Sequence, residues 1–134
     1  MLLLDTHVAV WLARGIELSQ AVRDQITAAR AMEGVYISSV TVWEVGNLLR
    51  KGKAGLDISL SAWVERFRAE DGFNEAPLTA DIVVEAANLP GRFHNDPADR
   101  FLVATARHLN IPMMTRDKRI LDYARVGHVR AVKC

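Results

Sequence analysis

A chain of 134 residues, half of them hydrophobic and a quarter charged, has the make-up of one compact soluble domain, 1–134, able to bury roughly two-thirds of its unfolded surface. Its single cysteine, Cys134, is the last residue, which excludes an internal disulfide and fits a reducing compartment. The net charge of +1 conceals an asymmetry: residues 1–90 carry 8 basic and 12 acidic side chains, residues 91–134 carry 9 and 4, so the last third is the place to meet an anionic partner.

In chain order, "MLLLD" reads as a short buried strand that ends at an acid. "THVAVWLARG" has helical apolar spacing through Val8, Trp11 and Leu12 and stops at Gly15. Asp5, His7 and Arg14 interrupt this apolar opening and no basic segment precedes it, so it reads as neither a signal peptide nor a membrane span, and the protein as cytoplasmic. A helix capped by Ser19 turns Val22, Ile26 and Ala29 inward. "GVYISS" is a strand, and "VTVWEVGNLLRKG" a helix with Gly52 past its end. Ser59 or Ser61 caps the next helix, with Leu60, Trp63, Val64 and Phe67 at i, i+3, i+4, i+7. "GFNEAPL" is a loop or short strand, and Thr79 caps a helix carrying Ile82, Val83, Ala86 and Ala87. In "HNDPADRFLVATA", Asp96 suits the N-cap, Pro97 the first helical position and Asp99 the third, where an acid favours the helix dipole. "PMMT" is a strand, "DKRILDYAR" a helix and "HVRAVK" a last strand. Strands alternating with helices of this length predict βαβ units, hence a three-layer α/β/α sandwich with a mainly parallel central sheet.

Ligands of such sheets bind outside the carboxyl ends of the strands. Asp5 ends the first strand, Glu44 lies in the early turns of the helix after the second, Asp99 opens a helix that feeds "PMMT", and Asp117 directly follows it. Each alone is a turn former, a surface residue or a cap. Together they are four acids from four distant segments aimed at one edge. Clustered carboxylates repel and raise one another's pKa unless a cation intervenes, and an all-oxygen set suits Mg²⁺ or Mn²⁺ rather than zinc. Such an ion lowers the pKa of a bound water and stabilises charge on a phosphoryl oxygen. No nucleophile triad competes with this reading.

"LLLDTH", "ISSVTVWEVGNL" and "HNDPADRFLVATARHLNIPMMTRDKRI" resemble PIN-domain proteins, specifically the VapC-type ribonuclease toxins of bacterial toxin–antitoxin pairs. The order of acid after the first strand, S-x-x-x-W-E, D-x-x-x-V-A-T-A and T-x-D spans nearly the whole chain. The resemblance implies a PIN-like fold and a Mg²⁺-dependent endoribonuclease, with Asp5, Glu44, Asp99 and Asp117 as the catalytic and metal-holding quartet and Thr115 as a supporting hydroxyl. It also implies an RNA substrate, a homodimer and a cognate antitoxin. Asp96 does not match the acidic pattern and reads as a cap, or as support for the ligands. Arg100, Arg116, Lys118 and Arg119 flank the site as candidate contacts to RNA phosphates.

The histidines read as loop or surface residues, and Trp11, Trp43 and Trp63 as packing on inner helix faces or interfaces. An aspartyl phosphatase wants a second Asp two residues after the first, where this chain has His7; a receiver domain wants an acidic pair near its first strand, which is missing. The alternative left standing is a non-catalytic PIN-fold module that binds RNA or a partner protein.

Overall fold

The computed structural model describes residues 1–134. Five strands, β1 (Leu2–Leu4), β2 (Val35–Ser38), β3 (Phe73–Ala76), β4 (Met113–Thr115) and β5 (Ala131–Lys133), form one sheet in the order β3-β2-β1-β4-β5. Every pairing is parallel. Seven helices connect them: α1 (Thr6–Arg14), α2 (Gln20–Met32), α3 (Ser39–Arg50), α4 (Leu60–Ala69), α5 (Ala80–Ala87), α6 (Pro97–Leu109) and α7 (Lys118–Arg125). The last strand is shorter than "HVRAVK" suggested; the other elements fall where their periodicity and caps place them.

Side chains alternate across a strand, and here the alternation divides the core in two. Leu2 and Leu4 of β1, with Val35, Ile37 and Met114, pack under α1–α4 against Val8, Val22, Ile26, Val45 and Trp63. Leu3 and Met113 point the other way, into Leu102, Val103, Ile82, Ile120 and Tyr123 of α5–α7. Because both faces are covered, β1 is apolar at every position and all three of its leucines are buried. This is the expected sandwich.

The chain runs outward from β1 to β2 and β3, then crosses back to β4 and β5. The carboxyl ends of β1 and β4 are therefore neighbours at the point where the winding reverses, the usual place for a ligand in such sheets. α3 and α6 meet above the same edge, each starting from a capped N-terminus: Ser38 accepts from the N–H of Val40, and Asp96 from that of Asp99. No helix is long and apolar enough to cross a membrane.

Candidate active site

Asp5 follows β1 immediately and is only 8% exposed. One carboxylate oxygen accepts the backbone N–H of Thr6 (2.7 Å), capping α1. The other accepts the hydroxyl of Thr115 (2.6 Å), and the same Thr115 oxygen receives the backbone N–H of Asp117 (3.0 Å). Thr115 thus ties the ends of β1 and β4 together.

Asp117 caps α7, its Oδ1 accepting from the N–H groups of Arg119 and Ile120. Glu44, half-buried on α3, accepts the hydroxyl of Thr6 at 2.5 Å, and that hydroxyl also meets Thr41 at 3.2 Å. Asp99, with a side chain 17% exposed, faces Nε2 of His94 at 3.1 Å and Nη2 of Arg119 at 3.4 Å. The histidine contact lacks hydrogen-bond alignment, leaving Nε2 buried without a partner.

The electrostatics bind these residues into one site. Burial raises the Asp99 carboxyl to about 7, and the charges of Asp96, Asp5 and Asp117 push in the same direction while Arg119 opposes them. Burial also raises Glu44, against the Thr6 hydrogen bond and with help from the charges of Asp5 and Asp96. Asp5 is raised by burial as well, against the bonds from Thr115 and Thr6. His94 is lowered by burial first and by Arg119 next, so at neutral pH it brings no positive charge to Asp99. Carboxylates from three segments, Asp5, Glu44 and Asp99, are drawn partly out of water, and Arg119 is the cation that meets Asp99.

All the donors are oxygens, the chemistry that Mg²⁺ and Mn²⁺ prefer. Nowhere do three or more His, Cys, Asp or Glu side chains gather closely enough to hold one ion between them. Mg²⁺ is commonly held by one or two carboxylates, with waters and substrate phosphates completing its shell, so a site for it does not require such a cluster.

The basic candidates separate. Arg100 donates to the carbonyls of Ala86, Phe93 and His94, so its guanidinium is engaged in holding the segment before α6. Arg116 donates to the carbonyls of Cys134 and Glu17 and lies over the ring of Trp11. Lys118 is exposed, and Arg119 rests on Asp99 and Asp117. Among the tryptophans, Trp63 is core, whereas Trp43 is 66% exposed beside the site rather than on an inner face. Thr6 and His94 are the site residues that sequence reasoning passed over. Thr6 stands inside "LLLDTH" next to an acid; His94 opens "HNDPADR" close to Asp99 but reads as an ordinary loop histidine, because its burial comes from tertiary packing.

The chain matches the PIN domain family over residues 2–126. It is 28% identical over 122 residues to "Ribonuclease VapC22" of Mycobacterium tuberculosis (strain ATCC 25618 / H37Rv), covering 90% of each protein. Its fold superposes on the crystal structure of VapBC2 from Rickettsia felis bound to a DNA fragment from their promoter (TM-score 0.74, 13% identity, 98% and 97% of the two chains). It also superposes on FitAcB from Neisseria gonorrhoeae (TM-score 0.67, 23% identity, 98% and 96%).

Proposed function

The chain belongs to the PIN domain family, and from that membership we propose that residues 1–134 act as one unit, a divalent-metal-dependent endoribonuclease of the VapC toxin type, working in the cytoplasm. The observation that carries this reading is the Asp99 carboxyl, buried and raised to about 7 among Asp96, Asp5 and Asp117. A fold spends stability on uncompensated buried charge where function needs it. Similarity to a ribonuclease over 90% of both chains supports the choice of substrate.

In this reading Asp5, Glu44, Asp99 and Asp117 would hold Mg²⁺ or Mn²⁺. The ion would supply an acidified water and offset the charge that builds on a phosphodiester oxygen. The protein's own residues set the stage for it. Thr115 holds the carboxylate of Asp5 and the backbone N–H of Asp117, Thr6 holds the carboxylate of Glu44, and Asp96 caps the helix turn that carries Asp99. His94, neutral, closes the far side of Asp99 without adding charge. No side chain is needed as nucleophile.

Two surfaces support protein partners. Trp43, Val40, Leu78, Pro97 and Phe101 line an apolar hollow of about 350 Å³ that suits a second copy of the chain. On the α1/α2/α4 side, a cleft of about 530 Å³ is lined by Leu12, Ile26, Trp63 and Phe67 and by Arg23, Arg30, Arg66 and Glu70, with Glu70 paired to Arg30 and a net positive charge left over. That chemistry fits an acidic, amphipathic segment of an antitoxin. A second reading, an RNA- or protein-binding module that does not cut, draws on the absence of any three acids gathered about one point.

One assay separates the two. Purified protein, free of antitoxin, is incubated with a mixed RNA pool in Mg²⁺ or EDTA, beside Asp99→Asn and Asp96→Asn. The endoribonuclease cuts in Mg²⁺ only, loses cutting in Asp99→Asn and keeps it in Asp96→Asn. Folded protein that retains RNA without cutting it establishes the binding module instead.

A further inference from the structure

Arg119 is in an electrostatically poor position for a basic residue. It is the second residue of α7, where the positive end of the helix dipole disfavours a cation. Packing does not hold it there, since its side chain is 59% exposed. Its side-chain contacts are Asp99, at 3.4 Å, and Asp117, at 3.6 Å. The two acids retain it against the dipole.

The particular oxygens matter. Asp117 has committed Oδ1 to the N–H groups of Arg119 and Ile120. Only Oδ2 is left to face the site, and that is the oxygen the guanidinium meets. On Asp99 the guanidinium again meets Oδ2. Any other cation shared by these two carboxylates has to take over Oδ2 of Asp117, where Arg119 now stands.

We propose that Arg119 is an internal counterion of the acidic site, holding Asp99 and Asp117 while no divalent ion is bound, giving way when one binds, and thereby setting the site's metal affinity. The inference rests on the metal-dependent reading given above. An ion about 2.1 Å from a carboxylate oxygen places two positive charges where the guanidinium lies, and the two cations repel. Displacement costs little, because ion pairs made by a side chain this exposed are weak. The released guanidinium, with its planar fork of donors, stays at the rim where a phosphodiester would approach. Arg119 would then act in turn on the protein's carboxylates and on the substrate's phosphate.

Lys118 provides the control. It precedes Arg119 in the same turn of α7, carries the same charge, is exposed and makes no contact with an acid. A general change in charge affects both residues, whereas displacement affects Arg119 alone.

The experiment is calorimetric titration of Mn²⁺ into metal-free protein without RNA, for wild type, Arg119→Gln, Arg119→Lys and Lys118→Gln, with thermal melts in EDTA and in saturating Mn²⁺. Arg119→Gln is expected to bind Mn²⁺ roughly three- to tenfold tighter, the range two weak ion pairs can supply. Lys118→Gln should change affinity by less than about twofold, and Arg119→Lys should fall between wild type and Arg119→Gln, since it keeps the charge without the fork. In EDTA, Arg119→Gln should melt below wild type, and Mn²⁺ should close the gap. Equal or weaker Mn²⁺ binding by Arg119→Gln overturns the proposal and leaves the metal site standing. If all four proteins fold and none binds Mn²⁺, the metal reading falls and the counterion role falls with it.

Discussion

At the scale of single residues, the site is a set of carboxylates whose burial works against the fold. Asp99 shows the sign clearly. Its carboxyl titrates near 3.8 in the unfolded chain and at about 7 in the folded one, so between these values the folded state holds the extra proton. Stability of the metal-free protein therefore falls as pH rises from about 4 to about 7, and this contribution is flat above that. Glu44 and Asp5, also raised by burial, act in the same direction. Thermal melts in EDTA should accordingly show Asp99→Asn melting above wild type at pH 8 and close to it at pH 5. A variant melting below wild type at pH 8 would mean that Asp99 contributes more as an ion than its burial costs. Asp96→Asn keeps the cap and removes a charge that raises Asp99 and Glu44, so it should melt slightly above wild type at pH 8, by less than Asp99→Asn does.

Thr6 tests the support of the acids. Thr6→Val keeps the shape and removes the hydroxyl that Glu44 accepts. Loss of a group that orients a ligand typically costs 10- to 100-fold in metal affinity or activity, and Mn²⁺ titration with a cleavage assay checks both. The positions of the acids in the fold were legible in the sequence, because strand ends and helix starts fix where Asp5, Asp99 and Asp117 lie. Thr6 was not, because its role depends on α3 crossing above β1, a contact between residues 38 positions apart.

At the scale of elements, caps were the most legible feature. Ser19, Ser59, Thr79, Asp96 and Asp117 each accept a backbone N–H of the first turn that follows, because the unsatisfied N–H groups there select short oxygen-bearing side chains whatever the tertiary context. Which helix face is covered was less legible. The spacing in α4 is regular, yet Trp63 is its one buried residue, and Trp43 is exposed although its helix also carries Val40, Val42 and Val45. Periodicity gives the apolar side of a helix and not the neighbour that covers it.

Arg100 extends the point to a loop. Its guanidinium joins the carbonyl of Ala86, at the end of α5, to those of Phe93 and His94. Arg100→Lys keeps the charge and loses the fork. Amide hydrogen exchange should then speed up across residues 88–96 while the β4 amides stay protected, and uniform exchange across the chain would show a global effect instead.

At the scale of the whole molecule, the basic excess of the last third turns out to be spent largely on the fold. Arg100, Arg107, Arg116 and Arg130 all donate to backbone carbonyls. This narrows the count of cations available to RNA, with Arg92, Lys118 and Lys133 exposed and Arg119 at the site. About four phosphate contacts imply a slope near −3 when log binding constant is plotted against log salt for single-stranded RNA, at about −0.7 per contact. Titration of Asp99→Asn with a labelled RNA at several salt concentrations measures it, and a slope steeper than about −5 would mean that the structural arginines bind RNA after all. The asymmetry itself was visible in the sequence, but its use was not, because composition counts charges and cannot see the carbonyls they meet.

The bond from Thr115 to Asp5 joins residues 110 positions apart, and β1 lies between β2 and β4 in the sheet. Synthesis proceeds from the N-terminus at about 5–20 residues per second, so β1 and β2 leave the ribosome well before β4 exists to flank them. Until Thr115 has emerged, the nascent chain has an open sheet edge beside Asp5, and neither Asp117 nor the hydroxyl that steadies Asp5 is yet in place. The four acids thus come together in one late event, and a chain truncated short of β4 would carry three of them, without Asp117 and without the hydroxyl of Thr115. On the proposed reading, a ribonuclease built this way would be silent throughout most of its own translation.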